Sequence, residues 1–158
     1  MDKKKPDNNN IGNAGEYYIA SILSSRGYIT TITLGRAEKY DIIAIRTDGK
    51  TIKLQVKTAW YNNKVFRLSP KDTIERDFNY FYAFVTLKEN KELWDYFIVP
   101  AKIVSQSVGE SHQNWLDLGH KDNTIRLFRS KPSKTCPSWF TQELIDKYKN
   151  NIKVLEEY

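Results

Sequence analysis

Five residues within the first 57 of the chain carry types and spacings that suit phosphodiester chemistry: Glu16, Asp41 and the triplet Gln55-Val56-Lys57. Asp41 offers a hard anionic oxygen and Gln55 a neutral carbonyl oxygen, both acceptable to Mg²⁺, which otherwise keeps waters and takes phosphate oxygens of a substrate. A cation so held lowers the pKa of water and neutralises charge that develops at phosphorus. Lys57, a compact point charge, suits the attacking hydroxide or the scissile phosphate. Glu16 suits a water beside the cation or a second cation position.

The elements that must position these groups are legible around them. Thr51 to Thr58 alternates strictly, with Ile52, Leu54 and Val56 on one face and Lys53, Gln55 and Lys57 on the other, which predicts a half-buried strand. Asp48-Gly49 is a tight-turn signal, so the preceding run Tyr40 to Arg46 should pair antiparallel with that strand. Pairing of this kind carries Asp41, at the start of one strand, beside Gln55 and Lys57 at the end of the other. Ahead of both, Gly15 to Leu23 shows an apolar helical stripe at Ile19, Ile22 and Leu23, stopped near Gly27. Glu16 is expected in the first turn or two of that helix, where a carboxylate also has an ordinary role opposite the helix dipole.

At these residues the chain resembles the PD-(D/E)XK nuclease superfamily, which includes many restriction enzymes, archaeal Holliday junction resolvases and several repair nucleases. Glu16 matches the helix glutamate, Asp41 the metal-binding aspartate, Gln55 the D/E position and Lys57 the lysine, over roughly residues 12–60. Tyr40 stands where the family has proline, and Gln55 puts an amide where a second strand carboxylate is usual. The resemblance implies an α/β fold with an αβββαβ core, a mixed central sheet flanked by helices and an extra C-terminal helix. It implies an endonuclease that hydrolyses DNA by in-line attack of water and depends on Mg²⁺ or Mn²⁺. Asp41, Gln55 and Glu16 would then be the cation's ligands and Lys57 the electrostatic catalyst. A homodimer is compatible with it, and RNA stays open beside DNA. Two alternatives stand next to it: a catalytically silent relative that binds nucleic acid through the same face, and a protein-interaction module with a vestigial site.

Composition bounds the rest. The 158 residues carry a formal charge of +6, which favours a polyanionic partner through phosphate neutralisation. Lys3, Lys4, Lys5, Arg36, Lys39, Lys53, Lys64 and Arg67 are the expected phosphate contacts, and Glu38 is read as surface charge. Residues 1–10 are expected to be a disordered basic arm ahead of a single domain at 11–158. The lone Cys136 has no cysteine partner, and His112 and His120 lack zinc spacing, which points to a reducing, cytoplasmic compartment. No stretch has the apolar length needed to span a membrane, and the N-terminus lacks a hydrophobic secretion segment.

Downstream, Lys64 to Leu68 reads as a strand ended at Ser69-Pro70, and Asp72-Thr73-Ile74-Glu75 as a capping box opening a short helix. Tyr80 to Leu87 is too apolar to lie anywhere but inside the sheet, and it should form a hairpin with Tyr96 to Val99. A short helix is expected over 101–107, a strand over Thr124 to Phe128, and a terminal helix from Ser138 through Trp139 to Tyr158. Most aromatics, Tyr82, Phe84, Phe97 and Trp139 among them, are assigned to the core; Trp60-Tyr61 follows the site strand, where packing is favoured over contact with a substrate strand.

Overall fold

The computed structural model describes residues 5–33, 40–60, 64–74, 76–88, 93–131 and 141–158. The first helix, α1 (Asn8–Ser25), begins earlier than its apolar stripe suggests. The Asp7 carboxylate accepts from the backbone of Asn9 at 2.8 Å and Asn10 at 3.0 Å, satisfying donors that a helix start otherwise leaves orphaned. Residues 8–10, expected in a disordered arm, are therefore helical. Glu16 consequently sits well inside the helix, beyond the reach of the dipole at its N-terminus. Ile11, Gly15, Ile19 and Leu23 form the buried stripe at a four-residue spacing, and Gly27, with φ of 86°, turns the chain out of the helix.

A five-stranded sheet follows, built from β1 (Ile29–Ile32), β2 (Ile42–Ile45), β3 (Thr51–Ala59), β5 (Tyr80–Thr86) and β6 (Asp95–Pro100) in that spatial order. All neighbours are antiparallel except β3 and β5, whose parallel pairing makes the sheet mixed. The alternation in β3 is realised as expected, with Ile52, Leu54 and Val56 buried and Lys53, Gln55 and Lys57 on the other, half-buried face. The β2–β3 hairpin closes at Gly49, whose φ of 83° demands glycine and whose N–H donates to the Arg46 carbonyl at 2.9 Å. Every residue of β5 is buried, as befits a central strand. β1 was not expected from the sequence: it is a four-residue edge strand that alternates only between exposed and half-buried.

The crossover from β3 to β5 runs through β4 (Val65–Leu68) and a 3-10 turn, Pro70–Thr73. That turn replaces the expected short helix. Its N-cap is Ser69, whose backbone N–H and hydroxyl both donate to Asp72; Glu75 lies outside the described residues. β4 pairs antiparallel with β7 (Arg126–Arg129) in a second, two-stranded sheet. One face of this ribbon packs inward, where Phe128 stacks on Phe84 with centroids 3.9 Å apart. α2 (Ala101–Asp117) is ten residues longer than the 101–107 expected, because Ala101, Val104, Ser107, Val108 and Ser111 keep a buried stripe running along it, with Ser111 bonded to Arg129 of the ribbon at 3.4 Å.

The expected terminal helix is broken. α3 (Gln142–Tyr148) starts at its N-cap Thr141, and a separate 3-10 segment covers Ile152–Glu156. Between them Asn150 adopts φ of 49°, donates its N–H to the Tyr96 carbonyl at 2.8 Å and accepts from the Tyr96 N–H at 2.9 Å. The asparagine thus satisfies both backbone groups of Tyr96 at the edge of β6, one with its own N–H and the other with its side-chain Oδ1, and the helix ladder cannot continue through it. Ser138, Trp139 and Cys136 lie outside the described residues. Among the described residues, no helix is long and apolar enough to cross a membrane.

Candidate active site

Four side chains singled out from the sequence meet where α1 crosses the end of the β2–β3 hairpin. Register sets the first contact: Ile42 pairs with Leu54, so Asp41, the residue before β2, faces Gln55. Asp41 is pinned there by its own N–H to the Leu54 carbonyl at 2.8 Å and by the Val56 N–H, which donates to its Oδ2 at 2.6 Å. Its other oxygen, Oδ1, has no hydrogen-bond donor among the described residues. Burial holds the Asp41 carboxyl above the usual range, with the Val56 N–H and the Lys57 charge pulling the other way.

Glu16 enters from the helix. Gly15 beside it is buried against Thr58 of β3 so closely that no Cβ would fit, and this contact brings the helix backbone down onto the strand that carries Lys57. Burial raises the Glu16 pKa, the Asp41 charge raises it further, and Lys57 lowers it. Glu16, Asp41 and Lys57 therefore act on one another electrostatically, although they come from three elements.

Gln55 is held by a residue the sequence reading assigned to the core alone. The Tyr80 hydroxyl donates to Gln55 Oε1 at 3.2 Å. Burial is the main cause pushing the Tyr80 phenol up to about 12, so it remains a donor at neutral pH. Arg76 lies over the Tyr80 ring at 5.3 Å. The Gln55 oxygen keeps a second lone pair beyond this bond.

Asp72 was missed as part of this neighbourhood. It is a buried carboxylate that accepts from the Tyr82 hydroxyl at 2.6 Å, from the Ser69 N–H at 2.7 Å and from the Ser69 hydroxyl at 2.8 Å. Burial alone would raise its pKa, but these donors and the Lys57 charge bring it below the ordinary value. Ser69-Pro70-Lys71-Asp72 is a sequence signal for the local turn; that the turn lies near Lys57 depends on the crossover between β3 and β5.

The residues that could hold a cation are thus two carboxylates and an amide, and among the described residues no group of three or more Asp, Glu, His or Cys side chains is arranged to hold a metal. The set nonetheless fits a hard divalent ion. Among the described residues Asp41 has one oxygen without a hydrogen-bond donor, burial raises both acids against the pull of Lys57, and all three side chains offer oxygen.

The expected phosphate contacts divide. Lys5, Lys57 and Arg67 line one cavity of about 600 Å³, along with Asn8 and Trp60. Lys53 shares the face of Gln55 but is bonded to Asp77 at 3.0 Å and lies over the Tyr40 ring. Lys64 is not brought to this cleft; it lines a separate cavity together with Asp95 and Asp146. Lys3, Lys4, Arg36, Glu38, Lys39 and Tyr61 lie outside the described residues.

Three comparisons bear on this arrangement. The model of a family described as PD-(D/E)XK endonuclease matches residues 6–105, a span that takes in α1, the hairpin and the crossover. No curated protein sequence matches the chain. Among solved structures, a bacterial homing endonuclease, I-Ssp6803I, superposes with a TM-score of 0.55 at 14% identity, covering 97% of this chain and 94% of that one. Hjc from Archaeoglobus fulgidus, a Holliday junction resolvase from an archaeal hyperthermophile, superposes with a TM-score of 0.51 at 12% identity, covering 93% of this chain and 97% of that one. At these identities the structural likeness speaks for the fold, a restriction-endonuclease-like α/β core.

Proposed function

The chain belongs to the PD-(D/E)XK endonuclease family, and from that premise we propose that it is a divalent-metal-dependent endonuclease hydrolysing phosphodiester bonds in DNA. The observation that carries the reading is the mutual influence of Glu16, Asp41 and Lys57 beside Gln55, with Lys57 also lining a cleft that holds the cationic side chains of Lys5 and Arg67. Asp41 and Gln55 would hold Mg²⁺ or Mn²⁺, with Glu16 as an accessory ligand. A cation there supplies Lewis acidity, activating water for in-line attack and offsetting charge on the phosphoryl oxygens.

The chain's own residues have separable parts in this. The Val56 N–H fixes one oxygen of Asp41 and so turns the other outward. Tyr80 fixes the amide of Gln55 in the same way. Lys57, whose charge is offset by Asp41, Glu16 and Asp72, is suited to meet the negative charge that builds on the scissile phosphate as the bond to the leaving strand breaks. Two copies would bring two such centres to two strands, and a sedimentation measurement would report that assembly.

The test is nicking of supercoiled plasmid in Mg²⁺. Nicking is expected with the native chain and is expected to be abolished by Asp41→Asn and by Lys57→Ala. One observation favours a second reading: Gln55 contributes no charge and one of its lone pairs is engaged by Tyr80, so the site has one carboxylate fewer than the family pattern. Salt-sensitive DNA binding without nicking in either Mg²⁺ or Mn²⁺ would select that second reading, a silent nucleic-acid-binding relative.

A further inference from the structure

The β4–β7 ribbon has a second face that the core does not use. In its register Val65 faces Arg129 and Arg67 faces Leu127, so these four side chains share the face opposite Phe66 and Phe128. That face joins two cavities. Arg67 and Leu127 line both the cavity that contains Lys57 and a second one, of about 270 Å³, between the ribbon and α2. The second is walled by His112 and Trp115 of α2 and by Ile125 and Arg129 of the ribbon side.

Charge and shape restrict what can occupy it. Among the described residues neither cavity has an acidic side chain in its lining, while Lys5, Lys57, Arg67 and Arg129 all contribute. Arg67 is exposed and has no hydrogen bond or ion pair among the described residues, and Arg129 is steadied by its bond to Ser111 Oγ at 3.4 Å. The inner wall is otherwise apolar and aromatic. Trp115 is stacked against His120 at 4.7 Å and 13° and against His112 at 5.7 Å and 26°, so the wall is already ordered. A volume just below the range for drug-sized ligand pockets admits one planar ring system and excludes a base pair. Asn123 adds a polar edge: its Oδ1 accepts from the Ile125 N–H at 2.8 Å, and among the described residues its amide N–H groups are left for a ligand.

Building on the proposed nuclease reading, we propose that this pocket receives one unstacked base of the substrate strand, while Arg67 and Lys57 hold the phosphates that lead to the cleavage site. An apolar slot lined by arginines is what a base with its phosphate requires, because any base offers a π-face and its backbone an anion. A site of this kind selects DNA that has an unpaired nucleotide, whose base can leave the helix at least cost.

The test is the affinity of the full chain for two duplexes, identical except for a single unpaired nucleotide at the centre of one, in Ca²⁺ to hold the DNA uncut. The native chain is expected to favour the bulged duplex by about 5-fold or more, the lower end of what one base against an aromatic side chain contributes. Trp115→Ala, which removes the wall, and Ile125→Trp, which fills the space from an exposed position, should each reduce that ratio to near one and leave affinity for the paired duplex within about 2-fold. Equal affinity of the native chain for both duplexes, or a preference that survives both substitutions, would overturn the pocket's role. The nuclease reading would stand in either case if plasmid nicking persists, whereas failure to bind or nick either DNA would overturn both.

Discussion

Replacing Gly15 with alanine tests how Glu16 is delivered to the site. A Cβ built on Gly15 falls on Thr58 Oγ1 and lies 3.0 Å from Thr58 Cβ and 3.1 Å from its Cγ2. Rotating Thr58 removes the first contact only, because Cβ stays where it is. The helix must then withdraw by roughly half an ångström to reach ordinary carbon separations. Overpacking of this order costs about 1–3 kcal/mol, which for a chain of this size lowers Tm by roughly 2–12 °C. The displaced residues are the neighbours of Glu16 and Lys57, and misplacement approaching an ångström costs up to about 100-fold in rate. Gly15→Ala should therefore lower both the Tm, read by calorimetry without metal, and the single-turnover rate of cleavage of a labelled duplex, by about 10-fold to 100-fold. Thr58 Oγ1 is buried without a hydrogen-bond partner, so trimming Thr58 sacrifices no polar bond. The exchange Gly15→Ala with Thr58→Gly moves the missing side chain to the other side of the interface and should recover most of the rate and of the Tm. A Gly15→Ala protein with native Tm and native rate, or a double variant no better than the single, would refute this account of the helix contact.

Asp41→Asn should abolish nicking yet stabilise the metal-free protein. The native carboxyl is held above its ordinary pKa by burial, so its ionised form costs stability at neutral pH and that cost is relieved as pH falls through the raised value. Asparagine keeps an acceptor for the Val56 N–H without the charge, so Tm at pH 8 should rise by roughly 2 °C or more, the gain should shrink toward acid pH, and added Mg²⁺ should stabilise the native chain only. Asp72→Asn acts with the opposite sign. Although burial opposes it, the donors around Asp72 depress its pKa, so its stabilisation is full above the unfolded value near 4 and is lost as pH falls through the lower folded one. The substitution should cost about 1.5–3 kcal/mol at pH 7, with the gap to the native chain closing below about pH 4 in thermal melts. Gln55→Glu should tighten Mn²⁺ and Mg²⁺ binding measured by calorimetry and alter the preference between them; an unchanged titration with the fold intact would remove Gln55 from the ligand set.

What could be read from the sequence follows from how local each cause is. The strict alternation of Ile52, Leu54 and Val56 with Lys53, Gln55 and Lys57, and the Asp48-Gly49 turn, are short-range facts, and together they place Asp41 opposite Gln55. The structure brings Glu16 into the same neighbourhood through a tertiary contact, Gly15 on Thr58, for which the sequence shows only a glycine next to a glutamate. Asp72 reads in the sequence as the opening of a short helix, because its link to Tyr82 and Lys57 arises only from the crossover. The pairing of β4 with β7 joins residues about sixty positions apart, so each strand was legible and their partnership was not. Asn150 ends the last helix for the same kind of reason: its partner is Tyr96, far up the chain. Ile29–Ile32 carries two threonines between isoleucines at an exposed edge, with no alternation of buried and polar positions to mark it.

If Asp41 and Lys57 work as parts of one cation-dependent cleavage centre, the single-turnover rates in Mg²⁺ of the native chain, Asp41→Asn, Lys57→Ala and the double variant will show it. Each single substitution should slow cleavage by about 100-fold or more, and the double variant should be no slower than the slower single, because groups acting as a unit do not lose their contributions twice. Cleavage at the native rate by Asp41→Asn, or losses that multiply in the double variant, would contradict a shared centre.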